Sequence, residues 1–269
     1  MAELCFNCMN RSAYIMGDED PDLPGQIDAA GRAGFRLIGP DSFSISRWCE
    51  GGGTVEQLAD RIAAAGMRTF ELPALIVGED TAQTRAQTEE LAAIARVLRP
   101  AFVQLNVESK VDDGVLDELR RVGDVFGQLD IGLAVEYLPW LPEVRNLQST
   151  RELMQRAGID GAGIIVDTWH FFFSDDSWDD LSALPLDEIA YVQFDDHPAL
   201  ESDDLVAETL GRRAMPGEGR FELERFCELL RDKGFDGVVS CEILSDETRR
   251  MDLGEFARRV YMSSRRFWP

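Results

Sequence analysis

The sequence predicts a single (β/α)8 barrel over residues 1–269, and three observations carry that expectation. Eight short apolar runs, rich in β-branched residues, alternate with amphipathic helical stretches. No glycine-rich turn follows the first run, as an open doubly wound sheet would normally show. At 269 residues and 45% hydrophobic content, the chain has the size of one such barrel, and no linker or composition shift divides it.

The expected strands are 4–9 (ELCFNCM, from Glu3), 35–40 (FRLIGP), 69–77 (TFELPALIV), 102–109 (FVQLNVES), 131–138 (IGLAVEYL), 162–169 (AGIIVDTW), 189–196 (IAYVQFDD) and 237–244 (GVVSCEIL). Runs this short and this apolar read as parallel strands covered on both faces. Between them, DLPGQIDAAGRAG, TVEQLADRIAAAG, TRAQTEELAAIARVL and VLDELRRVGDVFGQL carry apolar residues at i, i+3 and i+4. STRELMQRAG, DDLSAL, FELERFCELLRDKG and LGEFARRVYMSSRRF continue the alternation. Gly34, Gly66, Gly158 and Gly234 close helices just before the next strand. The longest irregular stretches follow strands one, two, six and seven, at the face where a barrel keeps its chemistry.

Charge and composition narrow the function classes. Fifty acidic against 27 basic residues give a net charge of −23, which repels phosphate backbones and argues against nucleic acid as a partner. No run approaches the roughly 20 consecutive apolar residues of a membrane helix. The start, MAELCFNCMN, lacks the basic region and apolar core of a secretion signal, so a cytoplasmic protein is expected. Cys5 and Cys8 form a CxxC, but no second pair completes a zinc site, and both read as buried thiols of the first strand. A homodimer is compatible with this reading.

Four polar residues end four successive apolar runs: Glu136 in GLAVEYLP, Asp167 in GIIVDTWH, Gln193 in AYVQFDDH and Glu242 in GVVSCEIL. A carboxylate in an apolar strand is costly unless it is paired or bound to a metal. The competing reading for Glu136 is an internal ion pair, and for Gln193 a side chain hydrogen-bonded inside the barrel. Brought together, three carboxylates and one amide oxygen make a hard site for a divalent cation, Mg²⁺ or Mn²⁺. His170 lies three residues beyond Asp167, and His197 is a looser candidate. Arg212 or Arg213, ahead of the PGEG loop, would point donors at an anionic group, as would Arg47. Glu71 is a strand-end acid expected to support the site, and Trp140, Trp169, Phe171, Phe172 and Trp178 are candidate pocket walls. Lys110 is the sole candidate for a Schiff-base lysine.

From EYLPW through VDTWHF, YVQFDD and PGEG to SCEILS, the chain resembles the xylose isomerase-like barrel superfamily. The resemblance implies metal ligation by Glu136, Asp167, Gln193 and Glu242, with His170 on the family's DxxH histidine and Arg213 ahead of its PGEG-type loop. Gln193 stands where ketose 3-epimerases and inosose dehydratases carry His, and is more similar to hydroxypyruvate isomerases and 3-dehydroshikimate dehydratases. The implied activity is isomerisation or epimerisation of a sugar, sugar phosphate or related hydroxy-carbonyl compound. Glu136 and Glu242 would exchange protons on opposite faces while His170 serves the developing oxyanion. Dehydration of a β-hydroxy ketone shares the first step and is the alternative outcome. A non-catalytic binding barrel is the competing class.

Overall fold

In the computed structural model, which describes residues 2–159 and 161–269, nine parallel strands form one sheet. They are β1 Glu3–Asn7, β2 Leu37–Gly39, β3 Arg68–Thr69, β4 Glu71–Val77, β5 Phe102–Val107, β6 Gly132–Glu136, β7 Ala162–Asp167, β8 Ile189–Phe194 and β9 Val238–Cys241. Around them run α1 Ala13–Met16, α2 Leu23–Ala33, α3 Ser42–Glu50, α4 Val55–Ala64, α5 Thr81–Leu98 and α6 Asp113–Gly127. The circuit continues through α7 Leu147–Ala157, α8 Thr168–Phe173, α9 Trp178–Ala183, α10 Leu205–Gly211, α11 Leu223–Asp232 and α12 Leu253–Phe267.

The ninth strand arises because the expected third strand is split. β3 pairs with β2 and β4 pairs with β5, and Phe70 joins them. The Phe70 N–H donates to Ile38 O, while its carbonyl accepts from Ala101 and Phe102. Pro73 has no N–H to offer, and the β4–β5 register shifts between Leu72 and Leu75. The sheet is therefore a nearly closed TIM barrel, with eight strand positions as anticipated.

Period-two alternation sorts the side chains into two apolar regions. Outward residues such as Phe6, Leu133, Val135, Ile164, Val166, Val192 and Val239 pack against the helices in the main core. Inward residues Cys5, Leu37, Phe70, Ala134, Ile165 and Tyr191 form a separate layer inside the barrel. Two residues further along their strands, Asn7, Glu136, Asp167 and Gln193 replace that hydrocarbon with polar groups.

Most expected strands prove too long at this mouth. Thr168 and Trp169 belong to α8, whose N-cap is Asp167, because its carboxylate accepts the His170 N–H over 3.0 Å. The eighth barrel strand stops at Cys241, leaving Glu242 just beyond it. Residues at the mouth spend their polar groups on caps and on each other, which ends the ladder.

Candidate metal-binding site

Register brings the strand-end residues level. Asn106 stands opposite Glu136 across β5 and β6, and Asp167 opposite Gln193 across β7 and β8. Glu136 Oε2 accepts from Gln104 Nε2 at 2.7 Å and from Asn106 Nδ2 at 2.8 Å. That leaves Oε1, which lies 3.3 Å from His170 Nε2. Glu136, Asp167 and His170 each present one atom within 4.8 Å of the others, in a group able to hold a metal ion.

Gln193 completes this cluster. In one amide orientation its oxygen stands 2.7 Å from Glu136 Oε1 and 3.2 Å from Asp167 Oδ2; in the other, its NH₂ donates to both. Three oxygens this close repel unless a cation lies among them, and oxygens sharing one octahedral ion of Mg²⁺ size stand about 3 Å apart. The donor set therefore fits a hard divalent cation, while the flipped amide satisfies the carboxylates without one.

Glu242 is turned differently. Its Oε1 accepts from Asn7 Nδ2 at 3.1 Å and its Oε2 lies 3.2 Å from Arg213 Nη1. The Gln193 amide is 3.5 Å away. Arg213, itself buried, also donates to Asp167 Oδ2 at 2.8 Å and to Asp195, and its Nε and Nη2 reach Thr209. One guanidinium is thus shared by three carboxylates. Burial pushes Asp167 up, but the Arg213 charge, aided by His170, outweighs it and holds the group below its ordinary range. Burial dominates at Glu242 and Asp195, which are raised well above theirs despite Arg213; like charges on Glu136 and Asp167 add to the rise at Glu242. Burial would lower Arg213, yet its carboxylate neighbours raise it, so it stays charged.

Glu136 and His170 of this cluster reach a cavity of about 180 Å³, while Asp167 and Gln193 are fully buried and do not line it. Gln104, Asn106, Glu136, His170, Arg213 and Glu242 line its base, and Met9, Tyr14, Phe43, Ile76, Leu138 and Trp140 are among the apolar residues above them. His170 Nδ1 is buried with no hydrogen-bond partner among the described residues.

Apart from Trp140, the other sequence candidates fall outside this cavity. Glu71 begins β4 rather than ending a strand, and sits in the barrel interior against Cys5 Sγ at 3.5 Å and Ser240. Arg212 pairs with Glu201 and Glu208, and Arg47 donates to the carbonyls of Gly17 and Glu19. His197 is buried, with Nε2 3.4 Å from Glu208. Lys110 is exposed. Of the aromatic candidates only Trp140 lines the cavity; Trp169 is buried against His170, and Phe171, Phe172 and Trp178 pack on one another. Cys5 and Cys8 are buried, unpaired thiols, as expected. Sequence reading missed Asn7, Gln104, Asn106 and Asp195. A signal existed for two of them, since Gln104 and Asn106 alternate with Val103, Leu105 and Val107.

The sequence model of the family described as xylose isomerase-like TIM barrel matches residues 27–261. The chain belongs to this family. The xylose isomerase-like barrel is 27% identical over 135 residues to a 3-dehydroshikimate dehydratase of Pseudomonas putida, covering 50% of this chain and 21% of that protein. It is 26% identical over 143 residues to an inosose isomerase of Halalkalibacterium halodurans, covering 52% of this chain and 48% of that protein. The similarity thus spans less than half the length of either relative. Among solved structures, the IOLI protein with a bound zinc atom superimposes with a TM-score of 0.84 at 17% identity, over 98% of this chain and 97% of that one. An L-ribulose 3-epimerase gives 0.71 at 15% identity, over 99% and 97%. Likeness at these identities establishes the fold. No helix among the described residues is long and apolar enough to cross a membrane.

Proposed function

We propose that this xylose isomerase-like barrel is a divalent-metal-dependent isomerase or epimerase of a hydroxy-carbonyl compound. The observation that carries the reading is the convergence of Glu136, Asp167, His170 and the Gln193 amide, with Glu136 and His170 reaching the cavity beside Glu242 and Arg213. Glu136, Asp167, Gln193 and Glu242 would hold Mg²⁺ or Mn²⁺, with Glu242 turning from Arg213. Bound there, the cation would polarise the substrate carbonyl and stabilise the negative charge left by proton removal.

The chain's own residues supply the proton chemistry. Gln104 and Asn106 occupy Glu136 Oε2, so Oε1 is the oxygen presented to the cavity. Glu136 takes the proton from the carbon next to the carbonyl. Glu242, on the other side of the site, delivers a proton there. His170 donates from Nε2 to the developing oxyanion, and apolar walls exclude water. Delivery to a neighbouring carbon isomerises; delivery to the opposite face epimerises.

A second reading, loss of a β-hydroxyl to give a dehydratase, draws support from the half-chain similarity to a 3-dehydroshikimate dehydratase. Deuterium uptake from D₂O, followed by NMR with the Mn²⁺-loaded chain and a panel of ketoses and inososes, tests the first reading. Glu136→Gln and Glu242→Gln are expected to abolish uptake while the fold persists; full activity in either removes that residue from the scheme. New ultraviolet absorbance without deuterated isomer would favour dehydration.

A further inference from the structure

We propose that the cavity takes an uncharged polyhydroxy carbonyl compound and rejects its phosphorylated or carboxylated counterparts, an inference that rests on the metal-dependent reading of the same site. Among the described residues that line the cavity, Arg213 is the one cation. Its Nη1 is shared by Asp167, Asp195 and Glu242, and its Nε and Nη2 both donate to Thr209. The nearest partners of that guanidinium are the carboxylates of Asp167, Asp195 and Glu242, with Glu136 beside them. Glu108, also on the lining, adds another acid.

Backbone donors are spoken for as well. Barrels of this type often hold phosphate in the loops after the seventh and eighth strands and at a helix N-terminus. Here the N–H groups of Gly217, Gly219 and Phe221, in the loop after β8, all donate to the Asp196 carboxylate over 2.9–3.0 Å. The loop is closed on that carboxylate tightly enough that a Cβ at Gly219 would lie 2.2 Å from Asp196 Oδ1. The N-termini of α3, α6, α8 and α10 carry Asp41, Asp112, Asp167 and Asp204 as caps. The chain thus fills with its own carboxylates the loop after β8 and these four helix N-termini. The net charge of −23 opposes anion approach at longer range. What the lining does offer is amide and carboxylate groups for hydroxyls at the base, and Trp140, Phe43 and Leu244 for the C–H face of a carbon skeleton.

The test compares D-fructose with D-fructose 6-phosphate, and scyllo-inosose with 3-dehydroshikimate, by calorimetry on the Mn²⁺-loaded full chain. The uncharged member of each pair is expected to bind at least about tenfold more tightly. Val206→Lys places a cation on a rim position that is 40% exposed and lines the cavity, and should narrow the gap. Equal or tighter binding of an anionic member to the natural chain, binding of neither member, or an unchanged gap in Val206→Lys overturns the proposal. Selective binding of the uncharged member without deuterium uptake sinks the isomerase reading instead and leaves this inference standing.

Discussion

Gln104 donates its amide N–H to Glu136 Oε2 over 2.7 Å, so a residue on the strand before β6 decides which oxygen of Glu136 faces the cavity. Replacing it with an apolar residue of similar size, Gln104→Met, removes that donor and lets the carboxylate rotate. Mn²⁺ affinity is expected to fall about 10- to 100-fold, the usual effect of losing a partner that orients a ligand. Calorimetric titration measures it, with circular dichroism to verify the fold. Unchanged affinity would mean Asn106 alone orients Glu136.

Arg213 is the counter-charge for Asp167, Asp195 and Glu242. Arg213→Met leaves three buried carboxylates facing one another, and breaking such a pair costs about 3–5 kcal/mol. Divalent cation should recover part of that loss, because it meets the same negative charge. Thermal melts with and without Mn²⁺ are expected to show a larger metal-induced rise in Tm for the variant than for the natural chain.

Burial pushes Glu71 up to about 7 from an ordinary 4.5, against the lowering effect of its Ser240, Tyr191 and Cys5 partners. Between those two values the folded chain holds a proton that the unfolded chain has released. Stability contributed by this group is therefore present at acid pH and lost as pH rises through 7. Glu71→Gln keeps a neutral side chain throughout. It should stabilise the protein by up to about 3 kcal/mol at pH 8 and by little at pH 4.5. Urea unfolding at the two pH values decides the matter: equal effects at both would mean Glu71 is ionised in the folded state.

Asp196 accepts from three backbone N–H groups of the loop that follows Pro216, as well as from the His197 N–H. Asp196→Ala orphans them and should cost roughly 2 kcal/mol or more. Urea denaturation at constant pH, with the slope compared, reads the loss. A cost within about 0.5 kcal/mol would show that water replaces the carboxylate.

The alternation of apolar and polar residues was enough to anticipate the barrel and the strand-end positions of Glu136, Asp167, Gln193 and Glu242. Glu136, Asp167, Gln193 and Glu242 lie near the ends of four successive runs, and in a parallel barrel the ends of all runs share one mouth. Glu71 was misread because it lies inside a single apolar run, TFELPALIV, which the structure divides at Phe70. Its carboxylate belongs to the start of β4, one layer below the cavity. The aromatic candidates were over-read for a related reason: VDTWHFFF begins a helix, and helical spacing turns Phe171 and Phe172 into the core.

By itself the sequence determined the fold class and the strand-end acids, because period-two alternation decides which face each side chain takes. Tertiary structure alone decided the partners. Asp195 and Arg213 are separated by a whole loop and helix, yet Arg213 meets Asp167, Asp195 and Glu242 together. His170 joins Glu136 and Asp167, while Glu242 turns to Arg213 and Asn7. Such meetings depend on strand stagger and on the path of the loops between strands, neither of which any local run of residues encodes.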